Sequence, residues 1–509
     1  MRVRLCILLV AALVAGCASL PPDIERTPST AFDRPGETAI GRYFAPILAQ
    51  HPDQSGFKVV RQGREAFTFR VGLADTAERS LDLQYYIWED DTTGRVLAAK
   101  LVAAANRGVH VRVLLDDNNF QGRDLALAAI DQHPNIELRV FNPFASREHH
   151  GLDFISSFGR VNRRMHNKVM IADASVAVIG GRNIGDHYFG VNTEANFRDL
   201  DLAMVGPIVA EAAHSFDTYW NSEWAYPIGA LHPHEYHEGE LATLSADLRR
   251  DLAAHPYPYP IDQDVATVLA EIDRITSELV WAKGGRVVAD DPTRLQDGGA
   301  GVAKNALVEW LRGTQQELLI ESAYFVPLDS GTKGLAGLVQ RGINVRVLTN
   351  SLASNDVAAA HAGYEKYRKK LLEAGVEVHE LRPDAGQVRK EWSITGGRSI
   401  AALHTKALVV DRRSTFVGSF NLDPRSANIN TEVGLLIDSP ELAQQVASYL
   451  DAGVEADNAY HVTLDARGRT QWSASVDGEA VTYDHEPQTS AWKRFTADVI
   501  RILPIDSQL

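Results

Sequence analysis

Apolar and polar positions along the chain settle into a repeating order from about residue 60. Residues 64–78 carry apolar side chains at helical spacing, and LDLQYYIW at 81–88 reads as a strand. Residues 95–106 return to the helical period before VHVRVLLDD makes a second strand-like run. Such alternation predicts an α/β domain, because each helix connects neighbouring strands and covers a face of their sheet. The order starts again after residue 300, with a helix near 306–311, the strand LLIESAYFV at 318–326, a helix near 335–340 and then NVRVLTN.

The recurrence is also one of letters. RGVHVRVL begins at Arg107 and RGINVRVL at Arg341, 234 positions later. HNKVMIAD begins at His166 and HTKALVVD at His404, 238 positions later; the same separation relates Asn183 to Asn421 and Asn192-Thr193-Glu194 to Asn430-Thr431-Glu432. One domain written twice, with an indel of about four residues, accounts for both separations, and a period this long marks a duplicated domain and not a solenoid.

In an extended strand, residues two apart share a side. His166 with Lys168, and His404 with Lys406, therefore each present an imidazole beside an ammonium, while Val169 and Ile171 face the other way. The pair suits a phosphate, because Lys holds the non-bridging oxygens and His attacks phosphorus or passes a proton. Gly180-Gly181 and Gly418-Ser419 end the next apolar strand, where small residues let backbone amides approach an anion. Asn183 and Asn421 add a neutral donor. Zinc fits poorly, since lysine is not a usual ligand at neutral pH and the metal-ligand spacings are absent.

HxKxxxxD followed by G-[GS]-x-N, present twice with every spacing kept, resembles the paired HKD motif of the phospholipase D superfamily. MHNKVMIAD, GGRNIGDHYFG and NFRDLDLAMVGP are most similar to bacterial phosphatidyltransferases of the cardiolipin synthase C type. The resemblance implies an α/β, bilobed monomer of two duplicated phospholipase D-like domains, each a mixed β-sheet flanked by helices, whose motifs meet across a pseudo-twofold axis in one site. It implies His166 as nucleophile, forming a phosphohistidine, and His404 as acid and then base, although the symmetry of the sequence leaves the assignment open. Lys168, Lys406, Asn183, Asn421 and Ser419 would bind the phosphate, with no cofactor and no metal. Glu194 and Glu432, each 28 residues after its histidine, would orient the imidazoles. Asp173 and Asp411 complete the motif at the far end of its strand, where they are expected to hold a turn or a buried pairing. Gly181 stands where Ser is usual, and Arg182 is the candidate to compensate.

The implied reaction makes cardiolipin from phosphatidylglycerol and a second phospholipid, either phosphatidylglycerol or phosphatidylethanolamine. A hydrolytic phospholipase D releasing phosphatidic acid is the alternative, followed by a nuclease-like phosphodiesterase and a non-catalytic lipid-binding envelope protein; an accessory protein stays open. The net charge of −15 over 509 residues weighs against nucleic acid. The local basic groups, Arg160 with Arg163 and Arg164, and KYRKK at 366–370, read as solvated faces, with headgroup contact as the sharper alternative.

MRVRLCILLVAALVAGC has two arginines, an apolar run and small residues before Cys17, the features of a secretory signal peptide. Residues 13–17 resemble the bacterial lipobox, which implies a lipidated Cys17 and a lipoprotein of the bacterial envelope facing the periplasm, with inner or outer membrane undecided. The domain plan is then 1–16 signal peptide, 17–45 tether, 46–245 first domain, 246–300 linker with one packed helix, 301–460 second domain and 461–509 a cap over the second sheet. Tyr219, Trp220 and Trp224 have the helical spacing of core residues, and His149 and His150 sit in a loop before the first motif where headgroup contact is conceivable.

Overall fold

The computed structural model describes residues 19–508 except 23, 121, 148, 232–238, 255, 262–264, 298–300, 387–398 and 504–505. The expected signal peptide and Cys17 fall outside the described residues.

Among the described residues, ten strands come first: Ser55–Val60 (β1), Ser80–Tyr85 (β2), His110–Asp116 (β3), Ile136–Phe141 (β4), Lys168–Ala172 (β5), Val176–Gly180 (β6), Ala195–Arg198 (β7), Asp201–Val205 (β8), Ala225–Pro227 (β9) and Val280–Ala282 (β10). Eleven follow: Gly284–Ala289 (β11), Glu317–Ser322 (β12), Asn344–Asn350 (β13), Glu377–Leu381 (β14), Ile400–Leu403 (β15), Lys406–Val410 (β16), Ser414–Gly418 (β17), Val433–Asp438 (β18), Ala459–Leu464 (β19), Thr470–Val476 (β20) and Glu479–Tyr483 (β21). The first sheet has the order β10-β1-β8-β6-β5-β2-β3-β4-β9 and the second β11-β18-β17-β16-β12-β13-β14-β19-β20-β21. The central order β8-β6-β5-β2-β3-β4 thus returns as β18-β17-β16-β12-β13-β14. In each, three parallel strands, which need helical crossovers, meet an antiparallel β-hairpin that carries the His-Lys motif.

The apolar side chains explain why the halves stay together. One cluster fills the outer side of the first sheet and another the outer side of the second. A third is shared: Leu202, Met204 and Phe216 of the first half pack in the same cluster as Leu319, Leu435 and Val446 of the second. Strands buried on both faces read as continuous apolar runs, as β5 (KVMIA) and β16 (KALVV) do. Helices Ile208–Trp220 and Pro440–Gly453 line this shared core, with Tyr219 and Trp220 fully buried and Trp224 partly so.

Residues 246–300 do more than link. Besides the helices Glu240–Ala254, Val265–Ser277 and Arg294–Asp297, they give β10 to the edge of the first sheet and β11 to the edge of the second. The C-terminal region extends the second sheet at its edge through β19, β20 and β21, with Asp477-Gly478 turning the last hairpin at positive φ, and so does not lie over the face of the sheet as a cap. The final helix, Ala491–Ile502, packs beside helix Ala358–Glu373.

The first basic cluster is an internal brace, whereas KYRKK divides: Lys366 and Arg368 brace the fold, and Lys369 and Lys370 are exposed, as a solvated face requires. Arg160 donates to Asn142 and Pro143, Arg163 to Leu295 and Arg164 to Asp116. In KYRKK, Lys366 pairs with Asp506, buried Arg368 with Glu380 and Glu486, and Lys369 and Lys370 with Glu373 and Asp329. His150 is buried and stacked on Phe144 with ring centroids 4.1 Å apart, which removes it from headgroup contact.

Candidate active site

Each motif histidine is held by the other half of the molecule. β7 of the first half pairs in parallel with β15 of the second, and the ladder ends where the His404 N–H donates to the carbonyl of Arg198 at 2.8 Å. In the mirror position, Met165 forms a bridge with Thr431, and the His166 N–H donates to the Thr431 carbonyl at 2.9 Å. From within its own half, each preceding residue is gripped by the end of a parallel strand: Asp116 accepts from the Met165 N–H at 2.8 Å, and Asn350 from the Leu403 N–H at 2.8 Å. These two residues close the matched strings RGVHVRVLLD and RGINVRVLTN, whose likeness marks the duplication but carries no sign of what their last letters do.

The imidazoles are oriented across the same interface. His166 Nδ1 lies 2.9 Å from Glu432 Oε2, and His404 Nδ1 lies 2.7 Å from Asp199 Oδ2. With each Nδ1 occupied by a carboxylate, Nε2 is the nitrogen left for chemistry. Glu432 therefore serves the histidine of the opposite repeat. Glu194 serves neither: it is exposed, its backbone ties the turn at Asn192, and Asp199, five residues later, takes the place expected of it.

The departure at Gly181 has its reason here. A Cβ on Gly181 would meet Asp199 Oδ1 at 2.0 Å, so glycine makes room for the carboxylate that holds His404. In the second repeat the equivalent Ser419 donates its hydroxyl proton to Glu432 Oε2 and accepts from the Val433 N–H. The hydroxyl is thus a strut for the carboxylate and is not free to bind phosphate. Arg182 does not compensate for it either; it is fully buried and donates to the carbonyls of Val60, Arg61, Tyr188 and Asp199.

Lys168 and Lys406 are buried and each donates to the carbonyl of its own histidine. Burial pushes both ammonium groups down, Lys168 well below the usual lysine range and Lys406 to about 8, opposed by the charges of Glu432 and Asp199. Both histidines are held well below the usual imidazole value by burial first and then by the two lysine charges, so they rest neutral. Burial raises Glu432 to about 7 and raises Asp199 as well. Each of these six groups acts electrostatically across the repeat boundary or bonds across it, so the two motifs make one site.

The remaining candidates divide. Asn183 accepts from the Ile87 N–H at 3.1 Å and donates to the Tyr188 hydroxyl at 2.9 Å, which leaves one N–H for a ligand. Asn421 has a buried Oδ1 that no protein donor meets among the described residues. Asp173 accepts from the N–H groups of Glu78, Arg79 and Ser80, and Asp411 from those of Gln315, Gln316 and Glu317. Both aspartates therefore pin the start of a parallel strand, away from the reacting atoms. Aromatic rings wall the site: Tyr86 is edge-on to His166 with centroids 4.9 Å apart, and Tyr188 is edge-on to His404 at 5.0 Å.

Residues 72–220 and 307–453 match the family model described as cardiolipin synthase, PLD-like domain. Cardiolipin synthase C of Escherichia coli K12 is 41% identical over 472 residues, covering 91% of this chain and 98% of that protein. An uncharacterised protein of Helicobacter pylori J99 is 32% identical, covering 94% of each. Among solved structures, phosphatidylserine synthase of Haemophilus influenzae Rd KW20 shares the fold, with a TM-score of 0.55 at 15% identity over 89% of this chain and 95% of that one. One motif histidine falls in each matched segment, and the chain belongs to the phospholipase D superfamily, in the family of the cardiolipin synthases.

Proposed function

We propose that the protein is a phosphatidyltransferase that joins two phospholipids into cardiolipin through a phosphohistidine. The observation that carries this reading is the pair of imidazoles, each with Nδ1 on a carboxylate from the opposite repeat, beside two buried lysines. Lys168 and Lys406 receive the phosphodiester of phosphatidylglycerol, and Asn421 and the remaining N–H of Asn183 add donors. The arriving negative charge offsets the lysines, which lets one imidazole take up a proton.

Neutral His166 Nε2 attacks phosphorus. The bond from phosphorus to the glycerol oxygen breaks, and protonated His404 gives that oxygen its proton, releasing glycerol. His404, now neutral, removes the proton from a hydroxyl of the second lipid; that oxygen attacks phosphorus and His166 departs. The assignment of His166 as nucleophile comes from the superfamily pattern. Burial of the site favours a lipid acceptor over water, and a protein held at a bacterial membrane through Cys17 meets that acceptor at high local concentration.

The test is mass analysis of lipids after incubating the full chain with phosphatidylglycerol vesicles and a chelator, with and without phosphatidylethanolamine. Cardiolipin is expected with released glycerol, or with released ethanolamine where phosphatidylethanolamine gives its phosphatidyl group to His166 and phosphatidylglycerol supplies the hydroxyl. Phosphatidic acid as the sole product would make the protein a hydrolase, and unchanged lipid would reject the reading.

A further inference from the structure

The last helix is built inside out. A surface helix normally turns its apolar stripe to the core, yet in Ala491–Ile502 the buried residue is Ala497. Trp492, Phe495, Val499 and Ile502 are spaced three and four apart, so they form one stripe on the side away from Ala497. They are 74%, 56%, 45% and 82% exposed. The helix also holds Lys493, Arg494 and Arg501 against the single acid Asp498, a positive segment in a chain of net charge −15.

A second apolar patch lies near the first. Leu152, Phe154 and Phe158, on the short helices His150–Ser156 and Phe158–Val161, are 57%, 42% and 48% exposed. Asn162, one turn beyond Phe158, donates to Gln508 at 2.8 Å, just past the final helix. Arg425 donates both to Asn162 and to the carbonyl of Gln508. The two patches are therefore joined at a point four residues before His166 and four after Asn421, at the rim of the active site.

We propose that helix Ala491–Ile502 and the exposed residues of 150–161 form a docking face that seats the rim of the active site on an anionic phospholipid bilayer. An exposed aromatic and aliphatic stripe beside a site for phospholipid chemistry is what lies in the interface of a membrane, and the anionic headgroups are those of the phosphatidylglycerol read as substrate; Lys493, Arg494 and Arg501 lie toward the Ala497 side, with Lys493 on the Ala353 carbonyl and Arg501 on Glu365. The purpose of this face rests on the phospholipid reading of the site, but its presence does not. A lipid on Cys17 would hold the chain near the membrane; this face sets which way the chain points.

The test uses the full chain with Cys6→Ser and Cys17→Ser and one environment-sensitive label, on Phe495→Cys, Phe158→Cys or, as control, the exposed Glu479→Cys. With vesicles of phosphatidylglycerol and phosphatidylcholine, labels at 495 and 158 shift to the blue and brighten, and the control does not. Silence at 495 and 158 would overturn the proposal. A shift without vesicles that grows with protein concentration would assign the face to a second copy and also overturn it. In parallel, the triple variant Trp492→Ser, Val499→Ser, Ile502→Ser loses turnover on vesicles by about tenfold or more while keeping it on dispersed short-chain phosphatidylglycerol. Equal turnover on both would count against docking. If the unsubstituted chain turns over neither substrate, the phospholipid reading fails while the labels still decide the docking face.

Discussion

The site turns on a few atoms whose roles sequence spacing could not assign. The histidines and lysines were legible because each motif is contiguous and written twice. Asp199 was not, because alignment of the repeats gives Glu432 the partner Glu194, whereas geometry gives it Asp199. A signal was present: Gly181 replaces the usual Ser in the same repeat, and the glycine and the shifted carboxylate are one adaptation, since a Cβ there would meet Asp199 at 2.0 Å. Gly181→Ser, which restores the common motif, is therefore expected to lower kcat by about tenfold or more, measured beside a far-ultraviolet spectrum that stays native. Asp199→Asn and Glu432→Gln should each reduce kcat by about a hundredfold or more by removing the charge that fixes the imidazole tautomer, while Glu194→Gln stays within about twofold. The pH profile follows from burial. Glu432 works ionised and gains a proton as pH falls through about 7, whereas Lys406 works charged and loses its proton as pH rises through about 8. The profile of kcat/KM should peak between these limits. That of kcat should extend further on the alkaline side, because bound phosphate stabilises the ammonium.

Elements carry the histidines to one another. The α/β alternation and the duplicated order were readable because helical and strand periods are local. The edge strands β10 and β11 were not, since their pairing depends on partners far along the chain, Phe57 for Val280 and Asp438 for Gly284. The tie that matters most is β7 on β15. Its last residue, Arg198, is buried and bidentate on Glu321 at 2.8 and 3.3 Å, with its guanidinium 3.7 Å from the ring centroid of Tyr449. Both partners belong to the other half, and the Arg198 carbonyl receives the His404 N–H. Glu321→Gln leaves a buried cation without its counter-charge and should cost about 3 kcal/mol of stability in denaturant titration. Turnover per folded molecule should fall as well, because the strand that positions His404 loses its anchor; unchanged stability would show that the pair contributes little.

At the scale of the whole molecule, two half-sites become one because the shared apolar core and the crossed histidine-carboxylate pairs all span the repeat boundary. The duplication foretold a composite site; the crossing of the carboxylates became visible only in three dimensions. Two-step transfer at this site makes one direct claim, that the lipid phosphorus is bonded for a time to His166. The decisive measurement is peptide mass analysis of the full-length His404→Ala variant after exposure to vesicles carrying the p-nitrophenyl ester of phosphatidic acid, whose phenolate leaves without the proton that His404 gives to glycerol. Without His404 to activate the acceptor, the account predicts a phosphatidyl group retained on the peptide containing His166, and none in His166→Ala. A phosphatidyl group on the His404 peptide of His166→Ala, or full turnover by His166→Ala, would contradict it.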